Sequence, residues 1–204
     1  MDEPSLAAYQ QAQVGNGCAI CAVSAAINLL SGKDAKADEW RKRVDAIPFP
    51  EILRYRTFAG GPTTPAQQVH LAEWVSYTVQ LPIRSVAQAS LDRQGLLDYL
   101  ATSRAAVLVT IGWWAGHAPE IVNGQDQRNL NQGAARVGYH TMLLAAYDDA
   151  HVCRDGVLRP WGLINSWQNG GPYLYWMRAD DFLRSWGVYT PWGGKNAAVL
   201  IQLL

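Results

Sequence analysis

Two cysteines stand three residues apart at the start of an apolar stretch, in the segment QVGNGCAICAVSAAINLLSG (residues 13–32). The pattern predicts a helix over residues 18–31, with Cys18 in its first turn and Cys21 one turn further in. The free N–H groups and the positive dipole end of a helix start favour a thiolate. Cys18 is therefore a candidate nucleophile, whereas Cys21, on an Ala/Val/Leu face, is interpreted as packing.

Other interpretations of the cysteines remain open. The simplest is that a cysteine is a small buried apolar side chain, and Cys153 receives this interpretation. A Cys-x-x-Cys pair also occurs in redox dithiols, but there it normally follows a strand, and here a helix and a turn precede it. A zinc site needs four ligands, and three cysteines without a His-x₃₋₅-His pair supply too few. We therefore expect neither a bound metal nor a cofactor.

A thiol nucleophile needs a general base and a group that orients the base. Of the four histidines, only His140 opens a strongly apolar strand, HTMLLAAY, and a rigid strand end is a good place to hold a base. Asn165 lies at the end of the next predicted strand, which adjacent antiparallel pairing would bring beside His140. Trp167 would shield their hydrogen bond from water. If Asn165 does not orient the base, Asp148 or Asp149 is the next candidate.

The nucleophile also needs a donor for the oxyanion. A side-chain amide just upstream of the helix would supply it, and both Gln13 and Gln11 are available. Gly15 and Gly17 would let the backbone approach a substrate closely.

The elements that must position these residues fall into two halves of a single predicted domain, residues 1–204. The first half, 1–104, predicts mainly helices, at 3–13, 18–31, 37–47, 65–79 and from an N-cap at Ser90 to about 102. The second half, 105–204, predicts strands at 105–113, 139–147, 157–167, 173–178 and 197–204, with a helix at 179–186. Helices followed by a mostly antiparallel sheet form an α+β fold.

One connection in the second half, residues 115–138, is too long for a simple hairpin. We interpret it either as a surface insertion or as a segment that overhangs the site. In the second case Trp113 and Trp114 would anchor its root, and Gly124 and Gly133 would act as hinges.

Composition and charge exclude several function classes. Lys plus Arg (17) equals Asp plus Glu (17), without a basic cluster, so neither nucleic acid nor an anionic membrane is expected as a partner. No apolar run approaches the roughly 20 residues that span a bilayer. The acidic N-terminus lacks the shape of a signal peptide. We expect a cytoplasmic protein, or one delivered or secreted without a recognisable signal peptide.

The order of these motifs resembles that of the papain-like cysteine proteases. A Gln, a Cys at a helix start, a Gly-x-His before a strand and an Asn-Ser-Trp on a later strand all occur here in sequence. The segment QVGNGCAICAVSAAIN is similar to the bacterial staphopains. The segments GYHTMLLAAYDD and INSWQNGGPYLYW resemble the family's histidine strand and its Asn-Ser-Trp-Gly region. Residues 35–105 carry no such resemblance.

The resemblance implies a helical subdomain packed on a mostly antiparallel sheet, with the active-site cleft between them. It implies a cysteine peptidase that hydrolyses peptide or isopeptide bonds through an acyl-enzyme, with a peptide or protein as its partner. Cys18 would attack as a thiolate paired with the imidazolium of His140, Asn165 would hold the imidazole, and Gln13 would stabilise the oxyanion. The alternatives are an acyltransferase or glutamine deamidase with the same triad, and an inactive papain-fold binding module.

The chain departs from the family pattern in three respects. Gln13 precedes Cys18 by five residues, one fewer than the usual spacing, so Gln11 remains a rival oxyanion donor. Gln168 follows the Asn-Ser-Trp motif where the family has Gly. The disulfides of papain are missing, because three cysteines do not form a disulfide framework.

Overall fold

The computed structural model describes residues 2–114, 117–123, 128–130, 138–167, 173–188 and 194–204. The helices among them are α1 (Glu3–Ala7), α2 (Cys18–Ser31), α3 (Ala37–Asp45), α4 (Pro65–Thr78), α5 (Arg93–Ala101), α6 (Ala179–Trp186) and a 3₁₀ helix (Glu51–Arg54). The strands are β1 (Ile83–Gln88), β2 (Ala105–Trp113), β3 (Glu120–Asn123), β4 (Arg128–Leu130), β5 (Gly138–Tyr147), β6 (Trp161–Ile164), β7 (Leu174–Met177) and β8 (Ala198–Leu203).

The strands form one antiparallel sheet in the order β1-β8-β2-β5-β6-β7-β3-β4. Helices α2, α3 and α4 contribute to the core on one face, where Leu108 and Leu143 point, and α5 and α6 to the core on the other face, where Val109 and Met142 point. Because both faces are covered, β2 and β5 are nearly continuous apolar runs. The α+β prediction with a mostly antiparallel sheet is confirmed.

Helix α2 is the innermost helix of its layer. Every residue from 19 to 28 is buried, because small and aliphatic side chains let the helix approach the sheet and its helical neighbours on all sides. Gly32 ends the helix in the left-handed conformation (φ +66°), and its N–H donates to the Asn28 carbonyl over 2.8 Å. The predicted bounds 18–31 match the observed ones, which places Cys18 at the first helical position.

The first predicted helix, 3–13, is wrong beyond Ala7. The chain from residue 10 to residue 17 runs without helix, and the Gln13 N–H donates to the Ser166 carbonyl over 2.9 Å. A tertiary hydrogen bond thus replaces a helical one. This arm lies along the chain that follows β6.

Three other sequence predictions differ from the structure. Ser90 is not an N-cap; it has φ +59°, and Asp92 caps α5 by accepting from the Gly95 N–H over 2.7 Å. The strand expected over 157–167 is only β6, because Pro160 directly precedes it and lacks the N–H of a ladder position. Strand β1, which pairs with β8, is not predicted at all.

The described residues of the connection 115–138 include two strands. β3 pairs with both β7 and β4, so part of this connection extends the sheet. Ile121, Val122 and Asn123 are buried there. Gly124 and Gly133, the expected hinges, lie outside the described residues.

Within the described ranges, no helix combines the length and apolar character needed to cross a bilayer.

Candidate active site

A pocket of about 420 Å³ opens where β2 ends and β5 begins, beside the start of α2. Cys18, His140 and Gln13 all line it, although they come from three separate parts of the chain. Trp113 and Gly138, which pair across the β2–β5 ladder, mark the end of the sheet at which it opens. The structure therefore brings three of the four predicted site residues to one pocket, with the fourth directly behind His140.

That fourth residue is Asn165, which follows β6. The β5–β6 register, with Leu143 opposite Ile164, places it next to His140. The His140 Nε2 and Asn165 Oδ1 atoms are 2.7 Å apart. The Trp167 N–H donates to the same Oδ1 over 3.2 Å, which identifies this atom as the amide oxygen. Nε2 therefore carries the proton, and Nδ1 keeps the lone pair that a general base needs.

Aromatic rings cover the imidazole. Trp167 stacks on His140, with ring centroids 4.1 Å apart and an interplanar angle of 25°, and Trp113 meets Trp167 edge-on at 6.1 Å. Trp113 in turn lies across Gly138, where an added Cβ would come within 2.2 Å of the indole. His140 is only 1% exposed. Trp167 thus shields the His–Asn hydrogen bond from water, as its position in the sequence predicts.

Gln13 is held from two sides. Its Oε1 accepts a hydrogen bond from the Ser166 hydroxyl over 2.9 Å, and its Nε2 donates to the Gly15 carbonyl over 2.6 Å. One of its two amide N–H bonds therefore remains for a ligand in the pocket. Gln11 points elsewhere: its Oε1 accepts from the Ala37 N–H, and it borders a different cavity. The structure thus places Gln13, not Gln11, in the Cys18 pocket.

Gln10 supports the site, a role that sequence reasoning missed. Its Nε2 donates to the Asn165 carbonyl over 2.5 Å and lies 3.4 Å from the Trp167 carbonyl. It thereby fixes the segment that carries Asn165, the hydrogen-bond partner of His140. The contact joins residues 155 positions apart, so no local sequence pattern predicts it.

Burial determines the protonation of the site. It raises the pKa of the Cys18 thiol, against the opposing effect of hydrogen bonds from Thr141 and the Ala19 N–H. It lowers the pKa of His140 from 6.5 to about 4, although the bond to Asn165 acts in the opposite direction. Both directions favour a neutral thiol beside a neutral imidazole in the free protein. Desolvation therefore acts against the thiolate–imidazolium pair that the sequence predicts, and it opposes the helix-start effect on the thiol.

Thr141 is a second residue that sequence reasoning missed. Side chains alternate along β5. Thr141 therefore points with Leu143 to the face that α2, α3 and α4 cover, and His140 points to the other face. Both nevertheless line the pocket, because they lie near its end of the strand.

Among the described residues, no hydrogen bond joins the Cys18 sulfur to the His140 ring; in the absence of substrate such contacts are often long.

The other titratable candidates have structural partners. His70 pairs with Glu73 at 3.3 Å on the surface of α4, and His117 bonds the Ser185 hydroxyl over 3.0 Å. His151 stacks on Trp176 with a centroid separation of 3.5 Å. Asp148 and Asp149 follow the last residue of β5, at the opposite end of the strand from His140, so neither orients this imidazole.

The remaining cysteines are buried. The Cys21 sulfur lies 3.5 Å from the Ala12 carbonyl, and burial raises the pKa of its thiol to about 12. Cys153 is 9% exposed. Within the described ranges, no three His, Cys, Asp or Glu side chains gather as metal ligands would.

Comparison of the chain with protein-family models and with characterised proteins gives no match.

Proposed function

We propose that this protein is a papain-like cysteine peptidase that hydrolyses peptide or isopeptide bonds in a peptide or protein substrate. The observation that carries the proposal is the His140 imidazole, bonded through Nε2 to Asn165 and covered by Trp167, in the pocket that contains Cys18. A base with a defined tautomer, next to a half-buried thiol at a helix start, is an arrangement that thiol acyl chemistry requires.

The proposed fold places the cleft at the boundary between the helix layer and the sheet. The arm and the loop before α4 contribute Gln13, Pro62 and Thr63 to one side of the pocket. The ends of β2 and β5 contribute Trp113 and Tyr139 to the other. A polypeptide lying between these sides would present its carbonyl carbon to Cys18.

The first chemical step begins from the neutral pair. As the Cys18 sulfur attacks the carbonyl carbon, its proton moves to Nδ1 of His140 and the carbonyl oxygen becomes an oxyanion. The backbone N–H of Cys18, free of an intrahelical partner at the first helical position, and the remaining Nε2–H of Gln13 donate to that oxygen. Asn165 Oδ1 accepts from the Nε2–H and stabilises the imidazolium that forms.

The second step releases the amine. The imidazolium gives its Nδ1 proton to the leaving nitrogen as the carbon–nitrogen bond breaks, and a thioester to Cys18 remains. Water then attacks the thioester with His140 as base, the acid product leaves, and the thiol is restored. The proton balance closes within each half of the cycle.

The test is mass spectrometry of a peptide library incubated with the protein. We expect pairs of new fragments whose masses add up to that of a library peptide plus one water. Cys18→Ser should not produce them, because its hydroxyl is a weaker nucleophile than the thiol. Cys153→Ser, a change at a distant buried cysteine, is the matched control and should retain cleavage.

Three outcomes would overturn the peptidase proposal. Products that carry an added amine would indicate an acyltransferase, and conversion of Gln to Glu without cleavage would indicate a deamidase. A library left unchanged by the protein, with Cys18 no more reactive than Cys21 toward iodoacetamide, would indicate an inactive binding module.

A further inference from the structure

A buried polar cluster lies behind the nucleophile, between α4 and the sheet. It consists of Gln68, Thr110 and Thr141, of which Gln68 is 1% exposed. The Gln68 Nε2 donates to the Thr141 hydroxyl over 3.0 Å and lies 3.4 Å from the Thr110 hydroxyl, and the two hydroxyl oxygens are 3.0 Å apart. Polar groups buried against apolar neighbours lower stability unless each finds a partner. The triad mechanism assigns no task to this cluster.

The cluster reaches the nucleophile through Thr141. Thr110 and Thr141 stand directly opposite each other in the β2–β5 ladder, and both line the Cys18 pocket. Thr141 also borders a second, smaller cavity with Cys21 and Ala22 of α2. Its side chain therefore lies between the first turns of α2 and the Gln68 amide of α4.

The hydrogen bonds of the cluster bear on the direction of the Thr141 hydroxyl proton. A threonine hydroxyl has one proton and two acceptor lone pairs, whereas the Gln68 Nε2 only donates. Gln68 fills one lone pair of Thr141. The two threonine hydroxyls share one further hydrogen bond, in which either oxygen can be the donor. In the arrangement in which Thr110 donates, both lone pairs of Thr141 are filled and its own proton is left for an acceptor in the pocket.

We propose that Thr141 is a further catalytic residue, whose hydroxyl and N–H donate to the Cys18 sulfur as it loses its proton, and that Gln68 is the positioning residue that aims this hydroxyl. The proposal rests on the proposed role of Cys18 as nucleophile. The proposed stabilisation of the sulfur anion belongs to the face of β5 that α2 and α4 cover. The proposed base lies on the opposite face.

The charged and titratable surroundings of Cys18 show why such a donor is needed. Among the described residues these are His140 on β5, Cys21 on α2 and the buried Arg56 after the 3₁₀ helix. Arg56 pairs with Asp45 at 3.0 Å, so much of its charge is already balanced. His140 is neutral at rest. Thr141 is among the groups that lower the pKa of the Cys18 thiol against its burial.

The test follows the rate of Cys18 alkylation by iodoacetamide from pH 5 to pH 10, resolved by site with mass spectrometry. Thr141→Val keeps the side-chain shape but removes the hydroxyl, and we expect the apparent thiol pKa to rise by about one unit, with alkylation about tenfold slower below it. Thr141→Ser should restore the wild-type profile. Gln68→Met, which removes only the aiming amide, should produce a smaller rise in the same direction.

Ser24→Ala is the matched control, because it removes a buried hydroxyl of α2 that has no hydrogen-bond partner in the described part of the chain. It should leave the alkylation profile unchanged. If the profile of Thr141→Val coincides with that of the wild type, or if Ser24→Ala shifts it equally, the proposal is wrong; if Thr141→Val does not fold, Gln68→Met decides in the same way. The readout needs no peptide cleavage, so it can succeed even where the peptidase proposal fails.

Discussion

The two faces of β5 give the neighbouring residues His140 and Thr141 different environments. His140 points to a face covered by the rings of Trp167 and Trp113, where burial holds the imidazole neutral. Thr141 points to a face where hydroxyl and amide groups are buried together with Gln68. The face of His140 therefore disfavours a charged side chain. The face of Thr141 contains buried groups that can donate hydrogen bonds.

This difference assigns separate tasks to the two sides of the pocket. A dry aromatic environment favours the unprotonated form of His140, the proposed base. A sulfur that is to lose its proton needs donors, and burial alone works against it. Because side chains alternate along a strand, two consecutive residues reach both environments without any irregularity in the backbone.

The largest expected effect tests the neutral state of His140 through the pH dependence of stability. Its pKa is about 4 in the folded protein and 6.5 when unperturbed, so between these values the unfolded chain binds more protons. Stability should therefore fall as the pH decreases from 6.5 to about 4, by up to about 3 kcal/mol from this group. His140→Gln should remove this component, measured as the free energy of unfolding in urea at a series of pH values.

Met142→Leu is the control for that experiment. It changes a fully buried residue on the same face of β5 without changing a titratable group, so its effect on unfolding should not depend on pH. Parallel curves for the wild type and His140→Gln between pH 7 and pH 4 would show that His140 is not buried in its neutral form.

The next effect separates hydrogen bonding from stacking on the aromatic face. Asn165→Ala removes the acceptor that fixes the tautomer of His140 but leaves the Trp167 ring in place. We expect kcat to fall about 10- to 100-fold with little change in KM, because orientation of the base is lost while substrate binding is not. The measurement is steady-state cleavage of a fluorogenic peptide drawn from the library products.

Asn28→Ala is the matched variant for Asn165→Ala. Asn28 is also buried, and it bonds the N–H and carbonyl of Ala35 away from the pocket. Its loss should lower the unfolding temperature but leave kcat per folded molecule near the wild-type value. Equal kcat values for Asn165→Ala and the wild type would show that the Trp167 ring alone orients the base.

The aromatic face was largely predictable from sequence, and the polar face was not. The pairing of His140 with Asn165 follows from two adjacent antiparallel strands, and Cys18 from a helix start with a clear apolar pattern. These are local signals with a known spatial consequence. The helix bounds 18–31 were predictable for the same reason.

Tertiary contacts explain what the sequence did not predict. Gln10 and Gln68 are glutamines whose burial depends on partners far along the chain, and no local pattern separates them from surface residues. Thr141 occupies a strand position suited to any β-branched residue. The burial that raises the pKa of the Cys18 thiol was also not predictable, because helix-start electrostatics is visible in a sequence, whereas desolvation depends on what packs around the sulfur.

The smallest expected effect tests how closely the aromatic face is packed. Gly138→Ala would place a Cβ within 2.2 Å of the Trp113 indole, so this ring must move, and with it the edge contact to Trp167. We expect kcat/KM to fall a few-fold and the unfolding temperature to drop by a few degrees, since overpacking typically costs about 1–3 kcal/mol. In a Trp113→Ala background the same substitution meets no indole and should lose most of its effect, which a double-mutant cycle on both quantities measures. If Gly138→Ala lowers kcat/KM equally in both backgrounds, the effect does not pass through Trp113, and Trp167, whose ring covers His140, is positioned by its own segment alone.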